Sequence, residues 1–308
     1  MVNISNLFEP LIDSLFQVAK VLFTKRLPNF IDYQIDNNIY VNDMYIPIGR
    51  NIRDTQYLKI GGENAHTYIV GNTGSGKSTL LKVILTTIVN NYPNVQLYLF
   101  DYKRVELSLF REAKNTIQYL WDTDDISKAL EQLYQLVLDR FDILASKCLT
   151  IADNSMNSIL VVCEEISLMS KTDMKILRKI MAISRAVKVY VLFTTQRPSN
   201  DTIDNTVKSL VSNRICLKTE DTKNSIIALD MQGCEQLKGK GHGYIKSNGY
   251  TTEFQSYYIS DTVVNDIVSK CSKPTFKEYQ NKAIAKDLRP IDNENDKLFN
   301  NTDWLNRL

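Results

Sequence analysis

The chain has 308 residues and is 44% hydrophobic, enough for one substantial core with appendages. Lys plus Arg number 37 against 35 for Asp plus Glu; a formal charge of +2 gives no global electrostatic case for nucleic acid, so any such contact has to come from local patches. Its cysteines, Cys148, Cys163, Cys216, Cys234 and Cys271, are odd in number, widely spaced and free of any CxxC pair, which argues against a disulfide framework or a zinc site and fits a cytoplasmic chain.

In chain order, the first pattern lies between Leu7 and Phe23. Phe8, Leu11, Ile12, Leu15, Phe16, Ala19, Leu22 and Phe23 fall on one helical face, with Glu9, Asp13 and Lys20 interrupting the apolar stretch. That predicts an amphipathic helix, too charged to span a membrane, that packs on its own domain or on a partner protein or membrane surface. Ile39 to Ile60 reads as short strands and turns leading into the core. From His66 the chain alternates apolar runs with helical stretches: HTYIV, GKSTLLKVILTTIVNNY, QLYLF, a helix from Asp125 to Lys147, SILVVC, a helix from Asp173 to Ala186, and VYVLFTT. Continuous apolar runs separated by helices predict an α/β domain with a mostly parallel sheet covered on both faces. RICLKT, GHGYIKS and TTEFQSYYI are shorter strands that complete the same sheet. From Lys273 the chain turns polar and rich in Asn and Lys, with an apolar patch at Trp304, Leu305 and Leu308. The expected organisation is a lead-in over 1–60, a core over 61–272 and a tail over 273–308.

The segment Gly71-Asn72-Thr73-Gly74-Ser75-Gly76-Lys77-Ser78 satisfies G-x-x-x-x-G-K-[ST], follows a strand and opens a helix. The glycines let backbone N–H groups close around phosphate oxygens, where the helix N-terminus adds favourable dipole charge. Lys77 is placed to reach β- and γ-phosphates, and the Ser78 hydroxyl to bind Mg²⁺; the ligand this predicts is ATP with Mg²⁺. Glu164 and Glu165 end the buried run SILVVC, where one acid suits a metal-bound water and the other the attacking water. Asp101 and Lys103 follow the strand QLYLF, and Gln196 follows VYVLFTT; ligands of such sheets sit at the carboxyl ends of strands, so these side chains border the crevice. Gln196 suits sensing of the γ-phosphate. The plainer reading of these last two segments is a polar strand-to-helix turn, with Pro198 starting the next helix.

GNTGSGKS, DYKRVELS, the acidic pair and TTQRPS, taken in this order, resemble the FtsK/SpoIIIE family of DNA translocases, as do IPIGRNIRD upstream and ALDMQGCEQLKGKGHGYI downstream. The likeness runs from Ile46 to Ile267. It implies a RecA-like P-loop NTPase core that assembles as a homo-hexameric ring, with double-stranded DNA in the channel and ATP at subunit interfaces. It assigns the metal-side role to Glu164 and the catalytic base to Glu165, and it makes Arg214, or else Arg185, the arginine offered to a neighbour's nucleotide. Three departures stand out: the acids read CEE where the family has IDE, Ile226 stands where the family's DSRTILD-like segment has arginine, and no room follows Lys273 for a winged-helix module. The resemblance therefore describes a stripped motor, similar to conjugative coupling ATPases. It is expected in plasmid or mobile-element transfer or segregation, with guidance or membrane docking from a partner through the N-terminal helix or the tail. Protein secretion and slow, assembly-type hydrolysis are the alternatives.

Overall fold

A computed structural model describes residues 27–34, 43–153 and 155–271; the helix expected over Leu7–Phe23 and the tail over 273–308 lie outside the described residues. The apolar runs become strands β3 (Thr67–Val70), β6 (Ile159–Glu164) and β7 (Val189–Thr195), each buried at every residue. β4 (Gln96–Asp101) and β8 (Asn213–Leu217) flank them, and β5 (Thr116–Leu120) lies at the edge. Side chains alternate across such strands. Val161 and Cys163 accordingly enter one apolar cluster while Leu160 and Val162 enter the other, on the opposite face.

The helices that cover these faces are set by their caps. α1 (Lys77–Asn91) springs directly from the glycine-rich loop and packs into the second cluster through Leu80, Leu81, Ile84 and Ile88. α2 (Thr123–Ser146) starts where the Asp122 carboxylate accepts the Asp124 and Asp125 amides, and α3 (Lys171–Ile183) where Ser170 accepts the Asp173 amide. Each such cap contributes about 1 kcal/mol by satisfying donors the helix cannot. Leu130, Leu133, Leu177 and Ile180 from these two helices bury into the first cluster. α4 (Asn205–Leu210), α5 (Thr222–Leu229) and α6 (Asp261–Lys270) complete the described helices of α type. The helix expected at Pro198 starts later: the segment after β7 first turns through hydrogen bonds between Ser199 and Thr202, and α4 begins only where Asp204 caps it by accepting the Val207 amide.

Among the described residues ten strands form one sheet in the order β2-β1-β10-β9-β8-β3-β7-β6-β4-β5. From β8 to β5 every pairing is parallel. β9 (His242–Ser247), β10 (Tyr250–Ser256), β1 (Met44–Arg50) and β2 (Thr55–Ile60) extend it antiparallel, the segment expected before the core thus joining the core's own sheet. β3 therefore sits between β7 and β8, with β6 and β4 beyond β7, and all five point their carboxyl ends to the same side. Whatever residues follow these ends converge.

Candidate functional site

The loop from Gly71 to Gly76 leaves β3 between its two neighbours and is tied to both. The Gly71 amide donates to the carbonyl of Thr195, the last residue of β7, at 3.2 Å, and the Asn72 amide to the carbonyl of Lys218, just beyond β8, at 2.8 Å. A second loop backs it: the Gly241 amide donates to the Ser75 carbonyl at 2.7 Å and the Lys240 amide to the Gly74 carbonyl at 3.3 Å. Glycine is required by this geometry at Gly76, where φ is +100° and an added Cβ would stand 2.4 Å from the Gly241 nitrogen. Gly74 also has positive φ, +77°, but an added Cβ there meets nothing within 4 Å. The sequence marks the glycines; it does not reveal that KGKGHG supplies the backing.

Lys77, 5% exposed, begins α1 with its ammonium 3.6 Å from Glu164 Oε1. Lys103, from the turn after β4, reaches the same oxygen at 3.4 Å and Glu165 Oε2 at 2.9 Å. Burial pushes the Glu164 carboxyl above the ordinary carboxylate range, with Lys77 and Lys103 pulling against it. Its Oε2 is buried without a hydrogen-bond partner. Glu165 goes the other way. Burial raises it too, but donors outweigh that: Ser167 Oγ at 2.7 Å, Lys103 Nζ, the Gln196 amide at 3.1 Å and Thr195 Oγ1 at 3.0 Å, so its carboxyl is held below the ordinary range. Its backbone sits at φ +57°, a left-handed conformation that costs a non-glycine residue about 1 kcal/mol or more.

Gln196 meets the phosphate loop directly, its Oε1 accepting from Thr73 Oγ1 at 3.3 Å. Asp101 is placed differently. Fully buried at the end of β4, it accepts the Leu107 amide at 3.0 Å and the Tyr119 hydroxyl at 3.2 Å on Oδ2, organising the following turn, while Oδ1 has no partner. That turn delivers a residue the sequence reading passed over within RVELS. Glu106 Oε1 accepts the Ser78 hydroxyl proton at 2.6 Å. With its proton committed there, the Ser78 oxygen keeps its lone pairs for a cation.

The two arginines lie elsewhere in this chain. Arg214 is level with Tyr68 in β3, before the loop, and its guanidinium donates to Asp230 Oδ2 at 2.7 Å and the Lys208 carbonyl at 2.6 Å. Arg185 is exposed in a 3₁₀ turn, Ser184–Val187, at the amino end of β7. Ile226 is 44% exposed on α5, and Arg197, beside Gln196, is exposed at the rim of the crevice.

The arrangement fits a nucleotide triphosphate with a divalent cation. The Gly74 side of the loop is open, Ser75 Oγ and Glu164 Oε2 are buried without partners, the Glu164 carboxylate lies 3.6 Å from the Lys77 ammonium, and the Ser78 hydroxyl follows in the next residue. No cluster of three or more His, Cys, Asp or Glu suited to a resident metal occurs among the described residues. A cation here would take most of its ligands from phosphate and water, as Mg²⁺ does.

A glycine-rich loop between a parallel strand and a helix, with a lysine, a hydroxyl and paired acids gathered at the strand ends, defines a P-loop ATPase core. The FtsK/SpoIIIE family pattern matches residues 40–234, and the chain belongs to that family. It is 27% identical over 250 residues to the DNA translocase FtsK of Staphylococcus epidermidis, an alignment covering 73% of this chain and 31% of that protein. The chain thus spans about a third of the length of this curated relative. The fold resembles that of the pCW3 conjugation coupling protein TcpA, solved as a monomer form with ATPγS (TM-score 0.68, 23% identity, 80% of this chain and 75% of that one). It also resembles EssC, ATPases 2 and 3, from Geobacillus thermodenitrificans (TM-score 0.68, 17% identity, 86% and 53%). Among the described residues no helix is long and apolar enough to cross a membrane.

Proposed function

We propose that this chain is an ATP-hydrolysing motor that moves double-stranded DNA in plasmid or mobile-element transfer or segregation. The observation that carries the reading is the convergence of Lys77, Glu164, Glu165, Gln196 and Ser78 at the carboxyl ends of the strands, in an FtsK/SpoIIIE-family chain whose curated relatives include DNA translocases. The division into a lead-in (1–60), a motor (61–272) and a tail (273–308) belongs to this proposal, as does a cytoplasmic place of action reached at the membrane through a partner.

In the reaction, the loop amides and Lys77 hold the phosphate chain and offset charge building on the transferred phosphoryl group. Ser78 and Glu164 would hold Mg²⁺, which would supply neutralisation of the phosphate charge when bound. Glu165 accepts the proton of the attacking water, and Gln196, tied to both Glu165 and Thr73, carries the state of the γ-phosphate to β7. A motor of this kind works as a homo-hexameric ring in which a neighbour adds a cation to the transition state. Arg214 serves that role only by leaving Asp230, whereas Arg185 and Arg197 are exposed already.

ATPase activity measured with and without long double-stranded DNA, followed by displacement of a triplex strand from that DNA, tests the proposal. Strong stimulation with displacement supports it. Stimulation by a peptide and not by DNA would replace it with the secretion reading that a net charge of +2 leaves open, and a slow rate indifferent to both would leave an assembly ATPase.

A further inference from the structure

At the end of the sheet away from the nucleotide crevice, the last turns of α2 lie beside Gln96, where β4 begins, and Asn157, two residues before β6. Arg140 is buried there at 1% exposure. Arginine is almost never buried so completely unless paired with an acid. This one is not: Nη1 donates to the Val187 carbonyl at 2.8 Å, Nε has no partner, and the titratable groups that bear on it are the phenols of Tyr98 and Tyr190 and the ammonium of Lys188. The missing counter-charge has a place to sit. Arg140 forms the inner wall of a recess of about 90 Å³, with Lys147, Ser155 and Asn157 exposed at its mouth, and no acidic residue among the described ones lines it.

We propose that this recess is a second ligand site, separate from the phosphate loop, that takes the phosphate or carboxylate group of a small molecule. Arg140 meets the anion from the inside and Lys147 at the mouth, while the amides of Gln96 and Asn157 are further donors on its walls. The Ser155 hydroxyl is already spent on Asp153 Oδ1 at 2.5 Å, so it contributes only position. A volume of about 90 Å³ compares with roughly 10–15 Å³ for one water on the same measure, room for an oxyanion carrying a short carbon skeleton. A guanidinium with free donors matches the flat, two-oxygen edge of phosphate or carboxylate, and burial strengthens that match by excluding water. Ile117, Leu136, Ile143 and Met156 with the ring of Tyr98 complete the lining, an apolar share that favours an organic anion over a bare inorganic one. The site opens onto the amino ends of β4 and β6, whose other ends carry Asp101 and Glu164.

The test uses the full chain with its phosphate loop saturated by ADP and Mg²⁺. Inorganic phosphate and malonate are titrated separately against chloride of equal ionic strength, with the unfolding midpoint and calorimetric binding as readouts. At least one of the two should raise the midpoint saturably, and the more effective one names the head group. Lys147 is exposed, so Lys147→Ala should fold unchanged and bind the anion about three- to tenfold more weakly. Arg140→Met should lose the response, and Lys77→Ala should leave it intact. The proposal fails if neither anion exceeds chloride, if Lys147→Ala leaves affinity unchanged, or if Lys77→Ala removes the response, which would place the anion in the phosphate loop. If Arg140→Met does not fold, the Lys147→Ala and Lys77→Ala titrations decide alone.

Discussion

Gly76 and Gly74 belong to the same loop, yet alanine should affect them very differently. At Gly76 the φ of +100° lies where an L side chain costs about 1–3 kcal/mol, and the new Cβ falls 2.4 Å from the Gly241 nitrogen and 2.9 Å from its Cα. Both obstacles are backbone and cannot swing aside. Relieving them means moving Gly241, whose amide donates to the Ser75 carbonyl, at a further cost of about 1 kcal/mol for that bond. The total, about 2–4 kcal/mol, corresponds to roughly 30- to 1,000-fold in nucleotide affinity if it falls on the bound loop. At Gly74 the conformational cost alone remains, about 1 kcal/mol and roughly fivefold, because nothing lies within 4 Å. Titration with a fluorescent nucleotide, beside thermal unfolding of each variant, reads both effects. Gly76→Ala within threefold of wild type and equally stable, or Gly74→Ala the weaker binder, would refute the argument that the Gly239–Gly241 loop sets the shape of the phosphate loop.

Glu106→Ala should raise the Mg²⁺ concentration needed for half-maximal ATPase about three- to tenfold by freeing the Ser78 proton from its partner, with ADP binding in EDTA unchanged; an unaltered Mg²⁺ requirement would deny Glu106 a positioning role. Glu165→Gln should slow turnover by about 10²-fold or more while retaining ATP, and finding that phenotype at Glu164→Gln alone would reverse the two roles. Stability should also depend on His66, which accepts the Val191 amide on Nδ1 and contacts the Met181 carbonyl through Nε2. Burial lowers its pKa from 6.5 to about 4, so the unfolded chain binds the proton more readily and folding weakens as pH falls from 6.5 towards 4. Between pH 7 and 4.5 that amounts to roughly 2.5 kcal/mol, measurable as a smaller pH slope in denaturant unfolding of His66→Gln; equal slopes would exclude it.

The parts of this molecule that could be read in the sequence are those whose cause is local. Five consecutive buried apolar residues in β6, Ile159 to Cys163, require an apolar run, and a helix springing from a tight loop requires glycines, so the parallel core and the phosphate loop are both visible. β5 is not, because an edge strand buries little: only Thr116 of its five residues is buried, and Ile117 is 40% exposed. The pairing of Gly49 with Ser256 closes the sheet across most of the chain, which no local pattern encodes. Pro198 misled because its fixed φ suits a helix start, whereas Asp204 supplies the cap that begins α4. Glu106 lies inside DYKRVELS, but its role needs the turn after β4 to bend back over α1. That bend depends on Asp101, whose carboxylate gathers the Leu107 amide and the Tyr119 hydroxyl.

The crevice interlocks its own charges, and this bears on how nucleotide and cation arrive. Glu164 Oε1 is shared between Lys77 at 3.6 Å and Lys103 at 3.4 Å, and Lys103 is shared in turn with Glu165. A phosphate drawn to Lys77 takes that cation from Glu164, and leaving a buried carboxylate less well paired is costly. A divalent cation entering with the phosphate restores the balance from the other side, so the two should bind cooperatively. Glu164→Gln removes the charge that needs restoring. It should therefore narrow the gap between ATP affinity with Mg²⁺ and in EDTA, largely by improving binding in EDTA, since Lys77 then has no carboxylate to give up. Affinity in EDTA that falls in Glu164→Gln, or a gap as wide as in wild type, would mean that the Lys77–Glu164 contact does not compete with phosphate and that Glu164 acts on the cation alone.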